Sequence, residues 1–136
     1  MKGAGVLDTN ALILLGRMDP AELPDKPVIT AVTLAELSVG PLVTDDDHER
    51  ATRQACLQEV EAAFEPLPFD ASAARVFGRV VADLRRSGRK PRARALDALI
   101  AATAIANDLP LYTCNPRDFA GIDDLSVIEL THPDAA

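Results

Sequence analysis

The chain has 136 residues, 48% of them hydrophobic, and a formal net charge of −7 at pH 7. That length suits one domain with a real core, and the negative balance argues against a protein that coats nucleic acid without discrimination. No apolar run approaches the roughly 18–20 residues that span a bilayer, so a membrane protein is not expected.

In chain order, "AGVLD" (4–8) reads as a first strand that stops on a carboxylate, and residues 10–17 as a short helix. "DPAELPDKP" (19–27) is a proline-punctuated loop, followed by a strand at 28–31 and a helix at 33–40 that stops at Gly40-Pro41. Residues 45–65 open with acids, which suit the positive end of a helix dipole, and carry Ala55, Leu57, Val60, Ala63 and Phe64 at roughly helical spacing. "PLPF" (66–69) is predicted as a short strand. Asp70 then caps a helix running to Ser87, with Gly88 closing it and Ala73, Val76, Phe77, Val80, Val81 and Leu84 as its apolar face. "GRKPRAR" (88–94) is a basic loop, 95–109 a strongly apolar helix, and 111–113 and 126–130 the last strands. Residues 1–131 form the expected domain, and 132–136 a loose tail. Strands alternating with helices through short connections imply a parallel sheet with helices on both faces.

Charge is unevenly spread. Between residues 75 and 94, eight cations stand against one acid, Asp83, a local balance of +7 that leaves −14 on the remainder. A charged helix end would account for part of this, and a patch that contacts phosphates would account for all of it. Cys56 and Cys114 match no metal-ligand spacing and read as reduced thiols. With only Lys2 ahead of the first strand and no small-residue cleavage site, no export signal is evident and the cytoplasm is the expected compartment.

Three acids occupy places where a solvated surface charge is least expected. Asp8 ends a core strand, Glu36 lies in "TLAEL", and Asp97 stands near the start of the most apolar helix. Each has an ordinary explanation: Asp8 as a helix N-cap, Glu36 on an exposed stripe, Asp97 at a helix dipole. Together they fit one another better, because a parallel α/β sheet gathers strand ends at one edge, near the switch in strand order. Carboxylates crowded there, with no lysine or arginine beside them, raise one another's pKa. A hard divalent cation such as Mg²⁺ or Mn²⁺ relieves that repulsion with oxygen ligands and retained waters. His48 and His132 sit in a surface-like helix start and in the tail, and with the cysteines they make no zinc site. An all-oxygen metal site points to phosphoryl chemistry.

"VLDTNALI" (6–13), "ITAVTLAEL" (29–37) and "ALDALIAATAIANDLPLYTCNPRDF" (95–119) carry a resemblance across nearly the whole chain. The set resembles the PIN-domain nucleases and, more closely, the VapC-type toxins of bacterial toxin–antitoxin pairs. The resemblance implies a Rossmann-like α/β fold, with a parallel sheet of four or five strands flanked by helices, and a Mg²⁺- or Mn²⁺-dependent endoribonuclease acting on RNA. Asp8, Glu36 and Asp97 match the family's acidic triad, with Asp8 and Asp97 as the main metal ligands and Thr9, Asn10 and Thr113 as supporting polar positions. Many relatives carry a fourth acid just after the late strand. This chain has "TCNPRDF" there, which leaves Asn115 or Asp118 for that place. The resemblance also implies a homodimer and a cognate, VapB-like antitoxin whose C-terminal segment blocks the groove. On this reading Arg85, Arg86, Arg89, Lys90, Arg92 and Arg94 guide RNA phosphates toward the acidic site. With few aromatics, recognition would rest on RNA shape and backbone.

Two other classes fit less well. Haloacid-dehalogenase-type phosphatases want a second aspartate where Asn10 stands, and a phosphotransfer receiver wants a lysine after a late strand, where this chain has none. An inactive PIN-like module that binds RNA or protein would be signalled by loss of the triad, which is intact.

Overall fold

The computed structural model describes residues 2–135; the first residue of the expected domain and the last of the expected tail lie outside the described residues. The sheet has four parallel strands, β1 (Ala4–Leu7), β2 (Lys26–Val28), β3 (Leu111–Thr113) and β4 (Val127–Glu129), in the order β2-β1-β3-β4. Five helices accompany it: α1 (Thr9–Ile13), α2 (Ala31–Val39), α3 (Asp47–Ala63), α4 (Ala71–Arg86) and α5 (Ala95–Ala106). No helix among the described residues is long and apolar enough to cross a membrane.

The two central strands are apolar on both faces, as a sheet covered on both sides requires. Their alternation divides the core into two layers. Val6 and Leu111, paired in register, face the layer built with Val76, Val80 and Leu84 of α4 and Ala98, Ala101 and Ala102 of α5. Leu7 and Tyr112, the next pair, face Ala11, Leu12, Ile29, Leu37 and Val60. Burying a Leu, Ile or Val side chain completely contributes about 1.5–3 kcal/mol, so these layers fix β1 and β3 side by side. Gly5 allows a close approach: a Cβ there would run into the Tyr112 ring.

Several elements differ from the sequence reading, each for a local reason. The second strand lies at Lys26–Val28, earlier than 28–31, because Thr30 leaves the strand to cap α2, its hydroxyl accepting from the Thr33 N–H at 3.2 Å. Pro27 is tolerated within it because β2 is an edge strand. The strand expected at 66–69 is reduced to one bridge, Thr30 to Leu67, since Pro66 and Pro68 on either side have no N–H to donate. The helix expected over 10–17 breaks after Ile13 into a single 3-10 turn, Leu15–Arg17. The basic loop contains another such turn, Pro91–Arg94, that leads directly into α5. Helix α5 ends at Ala106, three residues early, where Asp108 adopts a left-handed φ of 54° before Pro110. In the tail, Asp134 pairs with Arg17.

Candidate active site at the carboxyl ends of the central strands

Strand order reverses between β1 and β3, so the crevice beyond their carboxyl ends is the expected place for a site. Asp8 and Thr113 stand there. Asp8 is 6% exposed, and both of its oxygens are engaged. Oδ1 accepts the Ala11 N–H at 2.9 Å, capping α1, and Oδ2 accepts the Thr113 hydroxyl at 2.6 Å. Thr113 is itself fixed, because its Oγ1 accepts the Asn115 N–H at 3.0 Å. The capping explanation for Asp8 is therefore correct and incomplete: a cap alone does not require burial against a neighbouring strand. Burial raises the Asp8 pKa above the usual carboxylate range, opposed by the bonds from Thr113 and Ala11 and reinforced by the Asp118 charge.

Thr30 caps α2 directly after β2, and that helix carries Thr33 and Glu36 toward α1. Thr9 lies within hydrogen-bond reach of both, 3.0 Å from the Thr33 hydroxyl and donating at 2.8 Å to Glu36 Oε1. Thr33 is a fully buried polar residue that the sequence reading omitted. Its signal was available, since it lies three residues before Glu36 on the same helical face. Asn10 and Ile13 line a groove of about 480 Å³ with Thr9, Glu36, Arg53 and Cys56.

Asp97 enters from the first turn of α5, partly buried. Its pKa is pushed up to about 6, first by burial and then by the charges of Asp118, Asp8 and Glu36, with Arg94 acting the other way. Asp97 thus feels acids drawn from more than a hundred residues of sequence, from Asp8 to Asp118. The expectation that no lysine or arginine accompanies them is overturned. Arg94 Nη1 donates to Asp118 Oδ1 at 2.8 Å and lies 3.8 Å from Asp97 Oδ2. That pairing was readable too, since Arg94 precedes Asp97 by three residues across the start of α5.

Asp118 is in this cluster, whereas the Asn115 side chain makes no hydrogen bond among the described residues and borders a small pocket with Cys114 and Asp118. Of the six cations singled out from sequence, Arg86 pairs with Asp83 and Asp123, and Arg94 with the site acids. Arg85, Arg89, Lys90 and Arg92 form no ion pair among the described residues, and all but Arg89, which is half-buried, are exposed. Burial and the charges of Asp8, Glu22 and Glu129 push the Cys114 thiol pKa up, which disfavours the thiolate.

The donor set is chemically suited to a hard divalent ion. It is all carboxylate, and neighbouring acid charges help to raise the pKa values of Asp8 and Asp97, a strain that a cation relieves. Among the described residues no three Asp, Glu, His or Cys side chains converge as ligands of one ion. An ion held by only one or two of these carboxylates would keep most of its waters.

The family model for the PIN domain matches residues 5–125. Ribonuclease VapC5 of Mycobacterium tuberculosis is 44% identical over 130 residues, covering 93% of each chain. Ribonuclease VapC of Rickettsia bellii is 29% identical over 127 residues, covering 90% of this chain and 93% of its own. Among solved structures, a crystal structure of a member of the VapBC family of toxin–antitoxin systems, VapBC-5 from M. tuberculosis, superposes with a TM-score of 0.81 at 42% identity, covering 93% of this chain and 98% of that one.

Proposed function

Because the chain belongs to the PIN-domain family, we propose that it is the toxin of a toxin–antitoxin pair, an endoribonuclease that hydrolyses RNA phosphodiester bonds and is held in check by a VapB-like antitoxin. The observation that carries the reading is the union of Asp8 and Asp97, separated by 89 positions in the sequence, in one desolvated cluster at the sheet's switch point. Enzymes of this family depend on divalent metal. The preference for Mg²⁺ or Mn²⁺ follows from the all-oxygen donor set.

Asp8 and Asp97 would hold the ion, and Asp118, through its coupling to both, takes the fourth acidic position in preference to Asn115. When bound, a divalent ion supplies a polarised water and positive charge beside the scissile phosphate. The chain's own residues do the rest. Thr113 and the Ala11 N–H hold the Asp8 carboxylate in one orientation, so its remaining lone pairs keep a fixed direction. Thr9 fixes one oxygen of Glu36 and leaves the other free to orient water. Arg85, Arg89, Lys90 and Arg92 supply the positive field that an acidic site needs to admit a polyanion. Tyr112 and Phe119 are buried, and Phe69 packs edge-on against Phe77 at 6.2 Å, which leaves little for base stacking and favours recognition through backbone and shape.

The groove at Asn10, Ile13 and Glu36 and the nearby exposed Val39, Leu42 and Val43 offer the antitoxin an apolar seat beside the acids. Homodimerisation and a cytoplasmic setting belong to the same reading, and light scattering of the purified chain tests the first. The reading as a whole is tested with total cellular RNA incubated with the protein and Mg²⁺, Mn²⁺ or EDTA. Discrete fragments that need the metal and vanish in Asp97→Ala are the expected result. Intact RNA in every arm, including pools of transfer and ribosomal RNA, would favour a binding module in its place.

A further inference from the structure

We propose that Arg94 is an internal competitor for the cation site, a guanidinium standing on carboxylates that a divalent ion must win from it. The inference rests on the metal-site reading above and concerns how that site is filled.

Asp97 feels the charges of Asp118, Asp8 and Glu36, yet among the described residues only Arg94 forms an ion pair with any of these four acids. One nitrogen, Nη1, serves two carboxylates, at 2.8 Å from Asp118 and 3.8 Å from Asp97. The side chain is 34% exposed, so its attraction to the acids is screened less than that of a fully exposed pair. Arg94 is distinct from Arg89, Lys90 and Arg92, which form no ion pair among the described residues. Its backbone explains the difference. Arg94 ends the Pro91–Arg94 turn and immediately precedes α5, so its side chain leaves three residues before Asp97, beside the start of the helix that carries it.

An ion held by Asp8 and Asp97 puts two positive charges within a side chain's length of that guanidinium, where like charges repel strongly. Asp118 cannot serve both cations at full strength. Either Arg94 moves off Asp118 when the ion enters, or the ion binds more weakly than the carboxylates alone would hold it. In both cases the metal-free protein has its site partly neutralised from within, and half-occupancy needs more free metal than a bare acidic cluster would.

The opposite role, a brace that arranges the carboxylates for the ion, makes the opposite prediction. The experiment is calorimetric titration of Mn²⁺ into the purified chain without RNA. Arg94→Gln removes the charge while keeping a shorter, polar side chain, and should tighten Mn²⁺ binding about tenfold, the scale of one pKa unit of local charge interaction. Arg94→Lys keeps the charge and should stay within about threefold of wild type. Equal or weaker binding by Arg94→Gln overturns the proposal. Asp97→Asn separates the two readings. If it binds Mn²⁺ as wild type does, the metal site itself is misplaced. If it loses binding while Arg94→Gln fails to gain, only the role of Arg94 falls. Should Arg94→Gln not fold, Mg²⁺ added to ¹⁵N-labelled wild type must shift the Arg94 Nε–H resonance, and an unmoved signal overturns the proposal equally.

Discussion

Two arginines in this protein each join a pair of aspartates, and they do different work. Arg86, on the last turn of α4, pairs with Asp83 three residues earlier and reaches Asp123 at 3.3 Å. Arg94, at the start of α5, sits beside Asp97 three residues later and reaches Asp118 at 2.8 Å. The composition is the same; the surroundings are not. Arg86 and Asp123 are largely exposed, and both oxygens of Asp83 find donors, the second accepting the Asp123 N–H at 3.2 Å. That triad ties the end of α4 to the loop before β4, and its acids are satisfied. Asp97 has Asp8 and Glu36 nearby as well, on partly desolvated ground, and one guanidinium does not neutralise them all. What distinguishes Asp97 from Asp83 is the excess of acid around it.

The comparison breaks most visibly in catalysis. Asp8→Asn and Asp97→Asn should each lower RNA cleavage about 1000-fold or more, close to 4 kcal/mol of transition-state stabilisation. Asp83→Asn, in the look-alike triad, should stay within about twofold. Cleavage of a labelled RNA in Mg²⁺ by the three variants decides it, and a fast Asp8→Asn enzyme would show that the site lies elsewhere. Asp8→Asn should also fold at least as stably as wild type, because it removes a charge that burial disfavours.

Next in size is the contribution of the unpaired cations. Replacing both Arg89 and Lys90 with Glu should weaken substrate binding about 30-fold at low salt and flatten the dependence of KM on salt, with kcat little changed. A fall in kcat at unchanged KM would assign that segment to chemistry.

Much of this organisation was legible in the sequence, and the reasons are specific. Asp8, Glu36 and Asp97 stood out because each interrupts an apolar context, and a parallel sheet sends strand ends to one edge. Helices α4 and α5 were readable from their periodicity and from the Asp70 cap, whose side chain accepts the Ala73 N–H at 3.0 Å. The strand assigned to 66–69 failed because apolar character outweighed the missing N–H groups of Pro66 and Pro68, and the second strand slipped because a capping threonine was counted as strand. The position of Arg94 was hidden by the charge run it belongs to: treated as one of six solvated cations, it lost the three-residue offset from Asp97 that brings it to the acids.

The structural role of the Arg86 triad predicts a cost in stability with none in activity. Asp83→Ala removes the acceptor for Arg86 and for the Asp123 N–H, and should lower unfolding free energy by about 1–2 kcal/mol. Urea denaturation measures it, and a stability equal to wild type would reduce that triad to a surface coincidence.

The smallest effect carries the sign of the difference between the two triads. In the folded protein Asp97 titrates at about 6, above its ordinary 3.8. A raised carboxylate binds its proton more tightly when folded, so its contribution to stability is fully present below about pH 4 and is lost as pH rises through 6. At neutral pH the ionised Asp97 therefore strains the fold, and Asp97→Asn removes that strain. In EDTA the variant should gain on wild type between pH 4 and pH 7.5 by on the order of 1–2 kcal/mol, allowing for solvent screening of a partly exposed group. The other acids of the cluster are common to both proteins and largely cancel in the difference. A gap between the two proteins that is flat across this range would mean that Arg94 neutralises Asp97 fully. The second arginine triad would then be electrostatically equivalent to the first, and the excess of acid that sets the site apart would not exist.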